Sequence, residues 1–438
     1  MKLLLSIMLS LLFASPSPAQ TTVEDVKSFT LANGLKVIVL EDHSIPNANM
    51  YFLWKVGSRN EVPGITGLSH FFEHMMFNGA EKYGPKEFDR VMEAGGGSNN
   101  AYTTENVTVY TDWFPSSSTD LMFDLEADRI GHLAFDETMI ESERGVVISE
   151  RVTGLENSNW QLLNEQLKSV AFFAHPYRWS VIGYESDIKS WRKEDLEKYF
   201  ATYYAPNNGV VVIVGDVVLA GIEDLARKYF EPIPAHDPPQ PVRTVEPEQQ
   251  GEKRFWVKKD VFSPTLMIAY HVPETKSPEY CALDLLSTIL STGRSSRLYS
   301  ALIDEKQLAV EAWTYLPLSF DPNLLYIYAV CGADIHEDDL ETAIYEELDR
   351  IVNEGVTDKE LHKAKNLKLS EFYHEMETIN GKANTIGTYE LFFGDYSKLF
   401  SAPDAYAKVT AGDVRTAAGK YFKKSNRTVG ILKQDGDI

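Results

Sequence analysis

Two histidines and a glutamate stand close together in the segment His70-Phe71-Phe72-Glu73-His74. These types suit a metal centre, because imidazoles bind zinc and a nearby carboxylate can take a proton from water. The apolar flanking residues predict a buried helix, and four residues make about one turn, so His70 and His74 project from one face. Glu73 leans toward that face and is the expected catalytic base. The alternative, a pair of surface histidines, fits the apolar surroundings poorly.

A third protein ligand is needed, because a catalytic zinc commonly has three, and a carboxylate often completes two histidines. A helix is predicted from Glu137 to Val170, and it carries Glu143 and Glu150 two turns apart on one face. We take Glu150 as the metal ligand and Glu143 as a second functional carboxylate that orients a histidine. Spacing alone does not rank the two glutamates, and a solvated charged face is the alternative for either.

The N-terminus predicts export. Lys2 precedes a mainly apolar run from Leu3 to Ala14, and small residues and prolines follow as far as Ala19. This pattern predicts a signal peptide at residues 1–19 and a periplasmic location, with an N-terminal core helix as the alternative. The run is shorter than the roughly 18 residues that a membrane-spanning helix needs, and no later segment reaches that length, so no membrane span is expected.

The charge of the chain limits its partners. The 438 residues include 42 Lys and Arg against 64 Asp and Glu, a formal net charge of −22. Such an acidic chain is a poor match for nucleic acid or an anionic membrane, whereas peptides remain suitable substrates. The only two cysteines, Cys281 and Cys331, exclude a disulfide scaffold. Free, buried thiols are favoured over a pair.

The length and one proline-rich segment indicate two domains. Residues 232–252 are rich in proline and polar residues and show neither helical nor strand periodicity. This predicted linker separates an N-terminal zinc-binding half, residues 20–231, from a C-terminal half without a metal site, residues 253–438. A chain of this length usually needs more than one core.

The two halves look like copies of one domain. In each half a strand-like run, Ala48 to Val56 or Leu266 to Val272, precedes an apolar helix that ends at a glycine. Asn33-Gly34 predicts a hairpin, and Val210 to Val214 predicts a buried strand. The expected fold class is therefore α+β, with two homologous domains, each a mainly antiparallel sheet with helices packed on one face.

Taken together, these residues resemble the pitrilysin, insulin-degrading enzyme and mitochondrial processing peptidase family, the inverted zincins. The family signature is His-x-x-Glu-His, a glutamate ligand about 76 residues after the second histidine, and another functional glutamate seven residues earlier. Here Glu150 follows His74 by 76 residues and Glu143 by seven. The similarity continues through most of the mature chain, for example in Gly97 to Thr103, His175-Pro176-Tyr177 and Gly293 to Leu298.

The resemblance implies a zinc endopeptidase with one Zn²⁺ per chain that cleaves short or unfolded peptides inside a chamber. It implies that an extended substrate adds by main-chain hydrogen bonds to an edge strand from Asn100 to Thr104, where Asn100, Ala101 and Tyr102 are the substrate-binding residues. The length resembles that of the half-length members, in which two chains pair to enclose the chamber.

The chain departs from the family in its second half. Active members carry an arginine and a tyrosine seven residues apart that contact the substrate, and Ile303 and Val310 stand there instead. The second-half helix offers Asp284, Ser287 and Thr288 where the metal residues would fall. The sequence therefore predicts a heterodimer whose sister subunit supplies the arginine and tyrosine. The alternatives are a self-sufficient homodimeric peptidase and a non-catalytic scaffold subunit.

Overall fold

The structure, a computed structural model, describes residues 21–434, so the predicted signal peptide at 1–19 lies outside the described residues. The strands of the first half form a six-stranded sheet in the order β1-β2-β6-β3-β5-β4. Only the β2–β6 pair is parallel. The strands are β1 (Val26–Thr30), β2 (Lys36–Glu41), β3 (Asn47–Trp54), β4 (Ser98–Thr103), β5 (Thr108–Pro115) and β6 (Gly209–Gly215).

The helices of the first half follow between and after these strands. They are α1 (Leu68–Met75), α2 (Glu87–Ala94), α3 (Thr119–Gly131), α4 (Glu137–Asn157), α5 (Asn159–Ala171), α6 (Glu185–Ser190), α7 (Lys193–Tyr203) and α8 (Leu219–Tyr229). Residues 232–252, the predicted linker, contain neither helix nor strand and connect α8 to the second half.

The second half forms a five-stranded sheet in the order β7-β11-β8-β10-β9, in which only β7–β11 is parallel. Its strands are β7 (Lys253–Lys258), β8 (Thr265–Val272), β9 (Ala309–Tyr315), β10 (Asn323–Cys331) and β11 (Arg427–Lys433). Its helices are α9 (Tyr280–Ser291), α10 (Glu337–Glu354), α11 (Asp358–Glu375), α12 (Ile379–Thr388), α13 (Lys398–Lys408) and α14 (Ala411–Tyr421).

The two sheets share one topology. Order and strand directions in β7-β11-β8-β10-β9 repeat those of β2-β6-β3-β5-β4, including the single parallel pair. The α+β fold class is thereby confirmed. Asn33-Gly34 forms the predicted hairpin, in which Thr30 pairs with Lys36, and Gly34 has a φ of 88° that favours glycine. β6 is buried along its whole length, as expected for Val210 to Val214.

Each sheet is covered on both faces, and the second cover comes from the other half of the chain. One face of the first sheet packs on its own helices, whereas the other packs against Ile379, Ala383 and Ile386 of α12. The second sheet likewise receives Leu163 and Leu167 of α5 on its far face. The expected layer of helices on one face is therefore only part of the packing, and the halves share two of their cores.

The prediction of one helix from Glu137 to Val170 is wrong. The helix is interrupted at Ser158, which adopts an extended conformation with φ −118° and ψ 110°. Its hydroxyl accepts the N–H of Gln161 at 3.2 Å and so caps the start of α5. Serine and asparagine compete with the helix for backbone hydrogen bonds, so the Asn-Ser-Asn sequence at 157–159 favours a break.

Two further expectations concern the thiols and the membrane. Cys281 and Cys331 are free in the structure, with Cys331 buried and Cys281 half-buried. None of the helices within residues 21–434 combines the length and apolar character needed to cross a bilayer.

Candidate metal centre

The start of α1 is held by a buried carboxylate. Glu61 accepts the N–H of Gly67 at 2.7 Å and the N–H of Ser69 at 2.8 Å, which satisfies two amides at the helix N-terminus. Burial raises the pKa of Glu61 to about 8. Gly67 has a φ of 89°, and a Cβ there would lie 2.4 Å from the carbonyl oxygen of Ile182, so only glycine allows this close approach.

One side of α1 is anchored in the first core. The hydroxyl of Tyr110 on β5 donates to the carbonyl oxygen of Phe72 at 2.9 Å. The buried apolar residues of this side are Leu68, Phe71, Phe72 and Met75. The half-buried polar side therefore has a fixed orientation and presents His70, Glu73 and His74 as predicted.

The rotation of α4 is fixed by two arginines, each directly following one of the two glutamates. Arg151, next to Glu150, forms two hydrogen bonds of 2.7 Å with Glu165 of α5. Arg144, next to Glu143, donates to the carbonyl oxygen of the residue after α6 at 2.9 Å. Because the arginines bind neighbouring elements on one side of α4, the glutamates are directed toward α1.

The three predicted ligands meet between α1 and α4. One side-chain atom from each of His70, His74 and Glu150 lies within 4.8 Å of the others, and no second cluster of this kind occurs in residues 21–434. Nε2 of His70 is 3.6 Å from Glu150 Oε1, and Nε2 of His74 is 3.5 Å from Glu150 Oε2.

The structure places the two glutamates on different nitrogens of His74, a difference that the sequence could not show. Glu143 Oε1 lies 2.7 Å from Nδ1 of His74, and its Oε2 accepts from Asn78 Nδ2 at 2.9 Å. Both oxygens of Glu143 are therefore engaged, and Nε2 of His74 is left facing Glu150. A carboxylate that holds the distal nitrogen of a histidine fixes its ring orientation and tautomer.

The cluster attracts positive charge. Burial lowers the pKa of His74, but hydrogen bonds to Glu143 and Glu150 outweigh it and raise this pKa to about 9. Burial lowers the pKa of His70 more than Glu150 raises it. The hydrogen bonds to His74 lower the pKa of both glutamates. The two glutamates thus stabilise positive charge on His74.

A zinc ion fits this donor set. Tetrahedral ligands about 2.1 Å from zinc lie about 3.4 Å apart, and the two nitrogen–oxygen distances of 3.6 and 3.5 Å are close to that value. The donor types also suit zinc, because two imidazole nitrogens and one carboxylate oxygen leave a fourth position for water.

Glu73 lies beside the cluster and is held by a residue of the predicted edge strand whose role the sequence did not reveal. Its Oε2 accepts a hydrogen bond of 2.6 Å from the hydroxyl of Thr103, and its Oε1 has no partner within residues 21–434. Thr103 is the last residue of β4. The position of Thr103 could have indicated this role, because the residue directly follows the predicted substrate residues and lies on the same, inward side of β4 as Ala101.

The predicted substrate residues lie on an edge strand, as expected. β4 pairs only with β5, so its other edge is open. Asn100 and Tyr102 are exposed, and the N–H of Ala101 donates to Asn100 Oδ1 at 2.9 Å. A cavity of about 880 Å³ next to this strand is bordered by His70, Thr103, Glu150 and the start of α5.

At the counterpart position in the second half, the carboxylate is already bound by other side chains. Asp284 of α9 forms an ion pair of 3.1 Å with Lys368 of α11 and accepts the hydroxyl of Tyr406 at 2.6 Å. The ammonium group of Lys368 thus provides the positive charge between α9 and α11. Ile303 packs on the second core and Val310 is 65% exposed, and neither side chain has a hydrogen-bond donor.

Comparisons with known proteins identify the family of the chain. Residues 36–184 match the family described as Insulinase (Peptidase family M16), and residues 190–368 match the Peptidase M16 inactive domain. The zinc protease PqqE of Helicobacter pylori is 32% identical over 425 residues, which cover 95% of this chain and 94% of that one. The chain belongs to the M16 peptidase family.

Other M16 members extend the likeness. A crystal structure of a protease from Helicobacter pylori superposes with a TM-score of 0.90 at 31% identity, covering 93% of this chain and 99% of that one. A probable mitochondrial-processing peptidase subunit beta from Arabidopsis thaliana is 27% identical and covers 97% of this chain and 83% of its own. The family resemblance drawn from the sequence is confirmed.

The two glutamates should respond differently to substitution. Glu150→Gln replaces a charged ligand by a neutral amide and should leave the purified protein with much less than one zinc. Glu143→Gln keeps all three ligands but weakens the hold on His74, so zinc affinity should fall about 10- to 100-fold. Zinc content by mass spectrometry and competition with a chelator measure both effects.

Glu156→Gln is the matched control, because Glu156 lies exposed on the same helix. It should bind zinc like the unmodified chain. Full zinc content in Glu150→Gln together with loss in Glu143→Gln would show that the roles of the two glutamates are reversed.

Proposed function

We propose that this M16 member is the zinc-bearing subunit of an endopeptidase that hydrolyses short or unfolded peptides. The observation that carries the proposal is the cluster of His70, His74 and Glu150 with Glu73 beside it. Thr103, the last residue of the open edge strand, borders a cavity that His70 and Glu150 also line, so a peptide on this edge would lie close to the metal donors. A scaffold subunit would have no physical need for this half-buried group of imidazoles and carboxylates.

Substrate binding follows from the open edge of β4. An extended peptide can add to this edge by main-chain hydrogen bonds, which are independent of its sequence. The N–H of Ala101 is bound by the side chain of Asn100 in the free chain. A substrate carbonyl would replace that side chain, which keeps the edge strand from pairing indiscriminately when no substrate is bound.

The chemical step assigned to the chain is proton transfer by Glu73. Zinc held by His70, His74 and Glu150 would supply Lewis-acid activation of water and of the scissile carbonyl. Oε1 of Glu73 takes a proton from the attacking water while the water oxygen bonds to the carbonyl carbon. The same carboxyl then gives that proton to the leaving amine nitrogen as the C–N bond breaks.

The proposal includes a sister subunit and a periplasmic location. Ile303 and Val310 offer no donor for a developing oxyanion, so the expected arginine and tyrosine would come from a partner chain. Support comes from the mitochondrial relative, which is named a subunit, and from the family model of the second half, which is described as inactive. The apolar N-terminal run supports export to the periplasm.

Glu73→Gln should retain zinc and lose hydrolysis. The substitution leaves the three ligands in place and removes only the group that accepts the proton. Turnover of a quenched-fluorescent peptide and zinc content measure the two properties on one preparation. His74→Ala should instead lose zinc, and His374→Ala, an exposed histidine of α11, should change neither property. Zinc loss in Glu73→Gln equal to that in His74→Ala would contradict the assignment of the base.

Alone, the chain should bind about one zinc and cleave peptides slowly. Loss of a preorganised oxyanion donor costs on the order of a hundred- to a thousandfold in turnover, while zinc and Glu73 remain. A sister chain with the arginine and tyrosine should restore the rate, and replacing its tyrosine by phenylalanine should remove most of the gain. Peptide cleavage by this chain, by the sister chain and by an equimolar mixture decides between the arrangements. Equal rates for this chain and the mixture would favour the homodimer.

A further inference from the structure

We propose that Thr103 is a positioning residue that ties the base Glu73 to the strand on which the substrate docks. The proposal rests on the proposed peptidase function and deepens it. Its basis is the hydrogen bond of 2.6 Å from the Thr103 hydroxyl to Glu73 Oε2, between two half-buried side chains.

The bond selects one arrangement of a flexible side chain. A glutamate side chain has several rotatable bonds. Within residues 21–434, the Thr103 hydroxyl is the one hydrogen-bond partner of the Glu73 carboxylate. With Oε2 bound, Oε1 is the oxygen that remains free to accept a proton. Threonine suits the donor role, because its branched Cβ restricts rotation about χ1 and so limits where the hydroxyl can lie.

The turn that directly follows Thr103 is closed by several hydrogen bonds of Thr104. The N–H of Thr104 donates to the Val107 carbonyl at 2.8 Å. The Thr104 hydroxyl accepts the N–H groups of Asn106 and Val107 at 3.0 Å each. Gly57 packs directly against this turn, since a Cβ there would lie 2.4 Å from the Thr104 carbonyl oxygen. The donor therefore has little freedom to follow Glu73.

A buried ion pair extends this support to α5. Lys168 of α5, with a side chain only 2% exposed, pairs with Glu105 of the same turn. The turn thus joins β4 to the helix whose start borders the cavity. The position of the Thr103 hydroxyl reflects the placement of the whole strand, not of one side chain.

The consequence for catalysis is a fixed register. Asn100, Ala101 and Tyr102 precede Thr103 directly on β4, so a peptide that pairs with this edge has its backbone set relative to the Thr103 hydroxyl. Through that hydroxyl the carboxylate of Glu73 is set relative to the scissile bond. A misplacement of about 1 Å can cost about a hundredfold in rate.

Thr103→Val tests the proposal, because valine keeps the shape and removes the donor. We expect kcat to fall about 10- to 100-fold, with KM, zinc content and melting temperature unchanged. Thr103→Ser keeps a hydroxyl and should recover most of kcat. Thr416→Val makes the same change at an exposed position of α14, where the Thr416 hydroxyl donates only to a carbonyl of its own helix. This control should have no effect. The assay uses the zinc-loaded chain, with the sister subunit where turnover requires it.

Crystal structures of the metal-free chain and of Thr103→Val and Thr103→Ser supply a readout that is independent of activity. Glu73 should occupy one conformer in the unmodified chain and in the serine variant, and should leave that position in the valine variant. An unmoved Glu73 in Thr103→Val, or an unchanged kcat, would overturn the proposal. A loss of kcat accompanied by lost zinc or a lowered melting temperature would also overturn it, as a purely structural effect. An unmodified chain that hydrolyses no peptide would count against the peptidase function instead, while Glu73 would still report on Thr103.

Discussion

The contact between α1 and α4 brings two imidazoles against two carboxylates, and the surrounding structure serves to hold that contact. Ionisable groups in a half-buried position are costly unless opposite charges or a metal compensate them. Each helix is therefore fixed independently: α1 by the Glu61 carboxylate and the close approach at Gly67, and α4 by Arg144 and Arg151. With both helices fixed, the donor atoms of His70, His74 and Glu150 face each other, as a precise metal site requires.

The second half supports this arrangement although it holds no metal site of its own. Its α12 covers the far face of the first sheet, and α5 of the first half covers the far face of the second. Gly387 of α12 lies so close to β3 that an added Cβ would be 2.8 Å from Leu53 side-chain atoms. Neither sheet would keep both faces buried alone, so the duplicated half is needed for packing. At its counterpart of the α1 position, Asp284 is paired with the ammonium group of Lys368.

Much of the site could be predicted from the sequence, because its signals are local or of fixed spacing. His70 and His74 follow helical periodicity, and the distance to Glu150 matches a family signature. The edge position of β4 and the repeated sheet topology also followed from the resemblance and from the internal repeat. The break at Ser158 was missed because the apolar pattern continues through it, while the side chain of that one residue caps a new helix.

The residues that were missed act through contacts distant in the chain. Thr103 lies 30 residues from Glu73 in the sequence. Helix α12 covers a sheet whose first strands lie more than 300 residues before it. Spacing along one helix or strand contains no information on such pairs. Arg144 and Arg151 could have been noticed in the sequence, since each directly follows a site glutamate. Their partners in α5 and after α6 become visible only in the folded structure.

Anomalous diffraction at the zinc edge, from crystals of the zinc-loaded chain, tests whether His70, His74 and Glu150 hold the metal. We expect one strong peak per chain between α1 and α4, within about 2.0–2.2 Å of Nε2 of His70, Nε2 of His74 and a carboxylate oxygen of Glu150. No peak is expected near Asp284 and Lys368. A peak at Cys281 or Cys331 or at the second-half position, or the absence of any ordered peak, would contradict this assignment.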